Sequence, residues 1–352
     1  MSRILLVANP KSGVKSNKNI LDLTISEFEK SNIEFTLMHT EYAGHAINLV
    51  KNCNFNEYTS VCAVGGDGTL NEVLNGMLTR GDQSKVPIGL VPGGTGNSFM
   101  KTLDLLEPLE AILKIIKNKP RTIDLMKVSG SDGVYYSLNL VGWGMATDIS
   151  IVAEKLRVLG GQRYNIASVI EIIRNKKRPA TLIIDDVETT NDFCFIIACN
   201  TKYVGKGMKM APDAVIDDGL MDLIVVKKNS RSTLLSVFPK LFNGEHIKHP
   251  ACDYLKCRTF SIIPEQNDPL NIDGEIIRCA TVAVQLVENR IELNNLLPPG
   301  AARNALDCAF WDLESKKKRK RVENLVMKFV QQCYRTNIKR IRYLDLLKNK
   351  KR

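Results

Sequence analysis

The first 120 residues alternate short apolar runs with segments in which apolar residues recur every three or four positions. The apolar runs, which predict buried strands, cover residues 4–9, 33–38, 60–64 and 88–92. The segments of helical spacing cover residues 18–30, 42–52 and 105–117, and a further helix is expected to open at 98. This alternation is typical of a doubly wound α/β domain built on a parallel sheet.

Beyond residue 121 the pattern changes to short β-rich runs, which predict an antiparallel sheet domain. These runs cover residues 123–128, 135–141, 182–184, 193–199, 220–226, 259–263 and 282–287. Two helical insertions are predicted, at about 147–176 and 230–242. We therefore divide the chain into an α/β domain (1–121), a β-rich domain (122–297) and a tail (298–352).

Three glycine-bearing loops follow predicted strands, at residues 10–13, 65–69 and 93–97. Glycine lets a ligand approach the backbone closely, and the free N–H groups at the start of a helix favour anions. In the second loop we expect a helix to open at Thr69, a residue type that suits an N-cap. Because ligands of open α/β sheets lie at the carboxyl ends of strands, the three loops could share one phosphate-bearing ligand.

Asp67 stands within the second of these loops, where negative phosphates are expected. A carboxylate is tolerated in that position only if it holds a metal or takes up a proton. The sequence therefore predicts that a nucleotide and an acceptor hydroxyl are brought together at Asp67.

The composition indicates in which cellular compartment this chemistry takes place. Nine cysteines with no Cys-x-x-Cys pair argue against a disulfide framework or a zinc ribbon, which favours a reducing cytoplasm. No apolar run approaches the roughly 20 residues of a membrane span, and the N-terminus predicts a first strand rather than a secretory signal. Of the net charge of +11, residues 314–352 carry +12, so the body is close to neutral.

The glycine loops carry a resemblance to a known family. Residues 65–76 (GGDGTLNEVLNG) with 92–99 (PGGTGNSF) resemble the diacylglycerol-kinase catalytic family, which includes sphingosine and ceramide kinases. The resemblance continues, in the family's order, through residues 9–13, 142–144, 217–222 and 273–275. It implies a nucleotide half similar to phosphofructokinases and NAD kinases, and a β-sandwich half that holds a lipid. The implied reaction is transfer of the γ-phosphate of ATP, with Mg²⁺, to a lipid primary hydroxyl.

The resemblance also implies roles for individual residues. Asp67 or Glu275 would act as the base on the acceptor hydroxyl, and the sequence does not choose between them. Asp217, Asp218 and Asp222 resemble a structural magnesium site of bacterial members, although a tight turn explains them equally well. The residues implied in nucleotide binding are Asn9, Lys11, Thr40, Gly65, Gly66, Gly68, Thr69, Glu72, Gly93, Gly94, Thr95, Gly96, Asn97, Arg157 and Arg163.

Residues 154–163 follow the Glu-Lys-x-Arg-x-x-Gly-x-x-Arg pattern of sphingosine and ceramide kinases. This resemblance implies that Arg157 and Arg163 contact the phosphates of the nucleotide. Alternatively, the two arginines lie on a solvent-exposed face of a helix. Sphingosine kinases usually show Asp-x-Asp just before this block, and the second carboxylate holds the lipid ammonium. Here the chain has Asp148-Ile149-Ser150, which leaves Asp148 as the lipid-binding carboxylate. We predict a sphingoid base as the acceptor, with diacylglycerol or ceramide as the alternative.

The tail departs from the family. Residues 298–315 resemble a short piece of the dipeptide epimerases, but no barrel accompanies them, so no epimerase activity follows. Residues 316–321 (KKKRKR) are typical of a nuclear-import signal, of a segment that binds acidic membranes, or of a solvated basic run. We expect a cytoplasmic protein that meets its lipid as a peripheral membrane protein; oligomeric state stays open.

The sequence is also compatible with two functions other than a lipid kinase. A soluble-metabolite kinase is one, because NAD kinases and phosphofructokinases share a Gly-Gly-Asp-Gly-type turn. A non-catalytic binder of nucleic acid or membranes, led by the basic tail, is the other. The β-rich second half favours a lipid over a metabolite, and the neutral body argues against a nucleic-acid partner.

Overall fold

The computed structural model describes residues 3–13, 17–94, 96–131, 133–156, 158, 162–205, 207–279 and 281–293. Its first half alternates strands and helices, as the apolar pattern predicts. The elements are β1 (Arg3–Ala8), α1 (Asn17–Lys30), β2 (Glu34–His39), α2 (His45–Asn52), a 3₁₀ turn (Phe55–Glu57), β3 (Ser60–Gly65), α3 (Asp67–Leu78), β4 (Ile88–Pro92), α4 (Ser98–Thr102) and α5 (Pro108–Lys117).

The four strands of this half form a parallel sheet in the order β4-β3-β1-β2. Alternate residues of β1 face opposite sides of the sheet, as strand geometry requires. Leu5 and Val7 pack in a core with α2 and α3, whereas Leu6 packs with Phe28 of α1 and Ile112 of α5. Helices therefore cover both faces, which is why these strands are almost continuously apolar.

Several predicted helix starts were wrong by a few residues. The helix of the central loop begins at Asp67 with Gly66 as its N-cap, not at Thr69. The next helix upstream begins at His45, after Gly44 turns the chain with a φ of 84°. α5 begins at Pro108 rather than at residue 105, which agrees with the preference of proline for the first helical turn.

The second half is built mainly from antiparallel strands. Its elements are β5 (Arg121–Gly130), β6 (Gly133–Ser137), β7 (Leu140–Gly144), α6 (Met145–Lys155), α7 (Arg163–Arg174), β8 (Pro179–Ile184), β9 (Val187–Cys199), β10 (Met221–Lys227), α8 (Arg231–Val237), 3₁₀ turns (Phe238–Leu241 and Glu245–Lys248), β11 (Asp253–Cys257), β12 (Thr259–Pro264), β13 (Asp268–Ile272), β14 (Glu275–Cys279) and β15 (Val282–Leu293). The single strand expected over 135–141 is two strands, and the insertion expected over 147–176 is two helices.

The antiparallel strands follow the order β14-β13-β7-β9-β8-β12-β15. Trp143, Phe193 and Phe260 are among the large side chains buried between them. β15 pairs with β5 along most of its length, and at its end Leu293 lies parallel to Ile88 of β4. The last strand thus returns to the parallel sheet. The predicted fold class, a doubly wound α/β half followed by an antiparallel β-sandwich half with helical insertions, is confirmed.

Among the described residues, no helix combines the length and apolar character that crossing a membrane requires.

Candidate active site

The three glycine loops meet at the carboxyl edge of the parallel sheet. Gly93 donates its backbone N–H to the carbonyl of Gly65 at 2.6 Å. A Cβ added to Gly94 would lie 2.5 Å from the Cα of Gly66, and one added to Gly13 would lie 2.6 Å from the carbonyl oxygen of Gly93. Since side chains at these positions would push the loops apart, glycine is what allows the three backbones to come together.

Asp67, the first residue of α3, lies against the third loop. Its Oδ2 accepts the backbone N–H of Ser98 at 2.7 Å, and its Oδ1 accepts that of Phe99 at 3.1 Å. Burial raises the pKa of Asp67 above its ordinary value, the negative charge of Asp273 adds to the rise, and the two backbone hydrogen bonds oppose it. A carboxylate with a raised pKa accepts a proton more readily than an ordinary aspartate does.

The side chains beside Asp67 form hydrogen bonds within the protein. Asn9 donates to Thr69 Oγ1 at 3.3 Å, and its own Oδ1 accepts the backbone N–H of Lys11 at 3.0 Å. The Lys11 ammonium is exposed and donates to the carbonyl of Glu41 at 3.3 Å. A Cβ on Gly68 would meet no atom within 4 Å, so space is open above the first turn of α3.

Two of the predicted nucleotide-binding residues, Glu72 and Thr40, form hydrogen bonds within the protein. The Glu72 carboxylate accepts the backbone N–H groups of Gly44 at 2.9 Å and Ala46 at 3.1 Å, and so satisfies the start of α2. Thr40 is buried, and its backbone N–H donates to the carbonyl of Ala8. Both residues hold the loop after β2 in place next to the glycine loops.

The third loop is shaped by Asn97, which has a φ of 43°. Its side chain accepts the backbone N–H of Gly94 at 3.1 Å and donates to the carbonyl of Gly94 at 2.9 Å. Thr95 and Arg157, both predicted to bind the nucleotide, lie outside the described residues.

A cavity of about 440 Å³ begins at Asp67 and extends into the second half of the chain. Gly96 and Ser98, from the third glycine loop and the start of α4, also line it. Its walls come from α6, α7, α8 and strands β7 and β9, and are mostly apolar, as in Met145, Ile149, Ile172, Phe195, Leu234 and Leu241. Two carboxylates, Asp67 and Asp273, thus line a chamber whose surface is mostly apolar.

Asp273 joins the two halves beside this cavity. Its carboxylate accepts five hydrogen bonds: from the side chains of Asn71 and Ser137, and from the backbone N–H groups of Leu138, Asn139 and Leu140, at 2.8 to 2.9 Å. Burial raises the pKa of Asp273, and several of these hydrogen bonds oppose the rise. In the Asp-Gly-Glu turn, the resemblance implies a role for Glu275 only, and Asp273, which accepts more hydrogen bonds than its neighbours in the turn, was not predicted.

Comparisons with known proteins agree with this architecture. Residues 3–128 match the family model described as the diacylglycerol kinase catalytic domain, and residues 139–294 match the YegS C-terminal NAD kinase β-sandwich-like domain. The diacylglycerol kinase of Bacillus subtilis is 30% identical over 282 residues, which cover 78% of this chain and 90% of that protein. The chain belongs to the diacylglycerol-kinase catalytic family.

Relatives of this lipid kinase also include a sphingosine kinase and a diacylglycerol kinase of known structure. Sphingosine kinase 1 of Arabidopsis thaliana is 29% identical over 333 residues, which cover 78% of this chain and 68% of that protein. A solved structure of a diacylglycerol kinase from Bacillus anthracis (strain Sterne) superposes with a TM-score of 0.65 at 19% identity, over 85% of this chain and 98% of that one. The latter comparison supports the fold alone.

Asp148 of the lipid kinase forms ion pairs with neighbouring cations and does not face the cavity. It forms ion pairs with Arg178 and, at 2.8 Å, with Lys176. Arg178 is itself buried and also binds Asp268 at 2.8 Å. Asp148 does not line the cavity, whereas Ser150, two residues further along α6, does.

Arg163, at the start of α7, lines the same cavity as Asp67. Its guanidinium lies 3.5 Å from a carboxylate oxygen of Glu154 and about 5.0 Å from the ring centroid of Tyr164. Glu275 is exposed at the start of β14 and does not line the cavity. Of the two carboxylates considered as the base, Asp67 is therefore the one that faces the chamber.

The acidic turn at 217–222, where the resemblance implies a structural magnesium site, contains ion pairs. Asp217 is paired with Arg121, and Asp218 with Lys256 at 2.6 Å. Within the described parts of the chain, no three His, Cys, Asp or Glu side chains converge in a way that could hold a metal ion. Side chains from other elements thus satisfy Asp217 and Asp218, whereas Asp222 Oδ2 accepts no hydrogen bond from the described residues, and a metal site at Asp217, Asp218 and Asp222 stays a prediction.

Proposed function

We propose that this lipid kinase transfers the γ-phosphate of ATP, with Mg²⁺, to a primary hydroxyl of a membrane lipid. The observation that carries the proposal is the single cavity that joins Asp67 to an apolar chamber. Phosphate groups and acyl chains require opposite surroundings, and this cavity provides both. A soluble metabolite would leave the apolar end unfilled.

The glycine loops suit the phosphate chain of the nucleotide. Their backbones carry no side chains at the points of closest approach, the space above Gly68 is open, and Lys11 is an exposed cation beside them. Mg²⁺ would be held by the phosphate oxygens of ATP, which leaves the Asp67 carboxylate available to take up a proton. When bound, Mg²⁺ neutralises charge on the phosphate oxygens during transfer.

Asp67 also has the properties of the proton acceptor. In the transfer step the hydroxyl oxygen of the lipid bonds to the γ-phosphorus, and the bond from that phosphorus to the bridging oxygen breaks, so ADP leaves. The hydroxyl proton passes to the Asp67 carboxylate, whose pKa is raised by burial. Because a free hydroxyl is a very weak acid, the carboxylate helps as the new bond forms, and positioning supplies most of the rate.

The cavity wall favours an uncharged lipid head. Ser150 and Asn271 line it, and Asn271 Nδ2 donates to Ser150 Oγ at 2.9 Å. The carboxylates among the described lining residues are Asp67 and Asp273, and both accept backbone N–H groups. The ammonium group of a sphingoid base would therefore find no carboxylate in this wall that is free of other hydrogen bonds. No ion pair would then offset the free energy lost when the ammonium leaves water. We propose diacylglycerol or ceramide as the acceptor class, with a sphingoid base as the second candidate because residues 154–163 resemble sphingosine kinases.

The test is phosphate transfer from labelled ATP to diacylglycerol, ceramide and sphingosine in mixed micelles, with NAD as a non-lipid acceptor. We expect a neutral lipid to be phosphorylated faster than sphingosine. Ser150→Asp should raise the rate for sphingosine relative to the neutral lipid by about 10- to 100-fold, since a charge-assisted hydrogen bond contributes about 1.5–3 kcal/mol.

Ser150→Asn, which adds similar bulk without charge, is the matched control and should leave the preference unchanged. A wild-type preference for sphingosine would contradict the uncharged acceptor, and so would a Ser150→Asp variant with an unchanged ratio. Transfer to NAD alone would contradict a lipid acceptor of any kind.

A further inference from the structure

The chain turns back on itself between Val204 and Met208, whose backbones exchange hydrogen bonds at 2.9 and 3.2 Å. This 204–208 hairpin belongs to the second half, yet it lies against the third glycine loop. A Cβ added to Gly96 of that loop would lie 3.4 Å from the carbonyl oxygen of Gly205 in the hairpin. Val204, Gly205 and Met208 all line the cavity. The hairpin therefore forms the part of the cavity wall next to the glycine loops.

Ser98 connects the 204–208 hairpin to Asp67. Its hydroxyl donates to the carbonyl of Gly205 at 2.7 Å, and its backbone N–H donates to Asp67 Oδ2, also at 2.7 Å. Because Ser98 is buried, water does not readily replace either partner. A displacement of the hairpin would therefore move the donor that orients the Asp67 carboxylate.

Lys101, one helical turn beyond Ser98 in α4, contacts the residues on either side of Gly205. Its ammonium lies 4.4 Å from the centroid of the Tyr203 ring. A Cβ added to Gly207 would lie 2.8 Å from the same ammonium, so glycine lets the hairpin approach the cation. A cation over the face of an aromatic ring is attracted by the ring electrostatically. Lys101 and Tyr203 thus form a cation–π contact between α4 and the hairpin.

We propose that the contact between Lys101 and Tyr203 holds the 204–208 hairpin on the third glycine loop and thereby orients Asp67 for phosphate transfer. Lys101 is then a positioning residue, because it acts on Asp67 through the hairpin and Ser98. Neither Lys101 nor Tyr203 is among the described residues that line the cavity, so we expect neither to contact the acceptor lipid. The inference rests on the proposed function, in which Asp67 takes up the hydroxyl proton.

The test is a double-mutant cycle of Lys101→Met and Tyr203→Leu, with kcat and the KM for ATP measured for each variant. The acceptor is the lipid that the wild type phosphorylates fastest. Each single change should lower kcat by about 3- to 30-fold, the factor that corresponds to a cation–π contact, with little change in the KM for ATP. The double variant should be no slower than the slower single variant, because both changes remove the same contact.

Two conservative variants should rescue the activity. Lys101→Arg and Tyr203→Phe should keep most of the wild-type kcat, because a guanidinium stacks on an aromatic face and phenylalanine keeps the ring. The matched control is Arg3→Met, which removes a cation 6.0 Å from the ring centroid of Tyr58. Arg3 begins β1, at the end of that strand away from the glycine loops, so its variant should keep the wild-type kcat.

Hydrogen exchange of the Val204 and Met208 backbone N–H groups provides a readout that does not depend on catalysis. These two groups exchange only when the hairpin opens, because each is hydrogen-bonded to the other residue. Exchange should be faster in Lys101→Met and in Tyr203→Leu, by about the same factor as the loss of kcat, and unchanged in Arg3→Met.

Wild-type kcat in Lys101→Met would overturn the proposal, and so would losses that multiply in the double variant. A higher KM for ATP in Lys101→Met, at an unchanged kcat and with Tyr203→Leu unaffected, would overturn it by making the ammonium a direct phosphate contact. If the wild type phosphorylated no acceptor while both changes accelerated exchange, the proposed function would fail and the hairpin contact would stand.

At the acidic turn, Lys256 lies within reach of two carboxylates. Asp222 on β10 is directly opposite Lys256 on β11, and the Lys256 ammonium is 2.6 Å from Asp218 and 3.8 Å from Asp222. The Asp222 side chain is almost fully buried; its Oδ1 accepts the Tyr254 hydroxyl, while its Oδ2 accepts no hydrogen bond from any residue that the structure describes. The lysine is thus the countercharge for two carboxylates.

We infer that the Lys256 ammonium does at this turn what a structural divalent cation would do, so that the fold needs no metal there. The alternative is the magnesium site that the resemblance implies at the same turn. Thermal unfolding of the wild type should be the same in EDTA as in millimolar Mg²⁺. Lys256→Met should lower the unfolding temperature by about 4–8 °C, because it leaves two neighbouring carboxylates uncompensated, and Mg²⁺ should recover part of the loss.

The matched control is Lys227→Met, which removes an exposed ion pair to Asp253 between the same two strands. Its unfolding temperature should change little and should not respond to Mg²⁺. An unfolding temperature of the wild type that falls in EDTA and recovers with Mg²⁺ would overturn the inference. So would a Lys256→Met variant as stable as the wild type.

Discussion

Asp67→Asn should lower kcat by about 10²- to 10⁴-fold, the range that a positioned proton acceptor contributes. The amide cannot take the hydroxyl proton. It also turns one hydrogen-bond acceptor into a donor opposite the backbone N–H groups of Ser98 and Phe99. Initial rates with a saturating lipid acceptor measure the effect, and thermal unfolding of the same sample shows how much of it is structural.

Glu275→Gln is the matched comparison, because it makes the same change in the other candidate base. Since Glu275 is exposed and does not line the cavity, its variant should keep most of the activity. The opposite result, an active Asp67→Asn and an inactive Glu275→Gln, would assign the base to Glu275.

The pH profile adds a readout that a purely structural role would not change. Asp67 must be ionised to accept a proton, and burial raises its pKa above the ordinary 3.8. The activity should therefore rise with pH through this raised pKa, at a higher pH than an ordinary aspartate would give. The residual activity of Asp67→Asn should lack this rise.

Asp273→Asn should lower the free energy of unfolding by about 3–5 kcal/mol. Every partner of the carboxylate is a donor, so the new amide N–H₂ group must face at least two of them. The partners come from α3 and from the turn between β6 and β7, and hence from both halves of the chain. Urea denaturation, with the midpoint and slope fitted separately, measures the change.

The matched control is Asp186→Asn in the exposed turn between β8 and β9. Asp186 and Asp273 both have a positive φ, which asparagine adopts readily, so the backbone requirement is the same at the two positions. The control should change stability by less than about 0.5 kcal/mol. A loss below about 1 kcal/mol in Asp273→Asn would contradict the role of this carboxylate in joining the halves.

The order and type of the elements could be predicted from local pattern. Apolar runs of five or six residues marked β1, β3 and β4 because both faces of a parallel strand are buried and need no polar alternation. Helix starts were less predictable. Thr69 is a good N-cap residue, but Gly66 takes the cap because the chain turns into α3 as soon as it passes the close contact with Gly94.

The meeting of the glycine loops and the position of Asp67 also followed from the sequence, because parallel strands bring their carboxyl ends to one edge. Partners distant in sequence did not follow. Glu72 was expected at the nucleotide, yet its carboxylate satisfies the start of α2, which lies beside it only after folding. Asp148 was expected to bind the lipid, yet it forms an ion pair with Arg178, which lies 30 residues further along the chain.

The sequence by itself determined the alternating first half, the β-rich second half, the glycine loops and the carboxylate among them. Each of these is encoded within a few neighbouring residues, by periodicity or by the conformational freedom of glycine. Only the tertiary structure decided which charges are engaged and where the chamber lies. Strand register sets Lys256 opposite Asp222, and chain crossing brings Asp273 to Asn71. A carboxylate's role depends on the groups that fold against it, and those groups come from elements far apart in the chain.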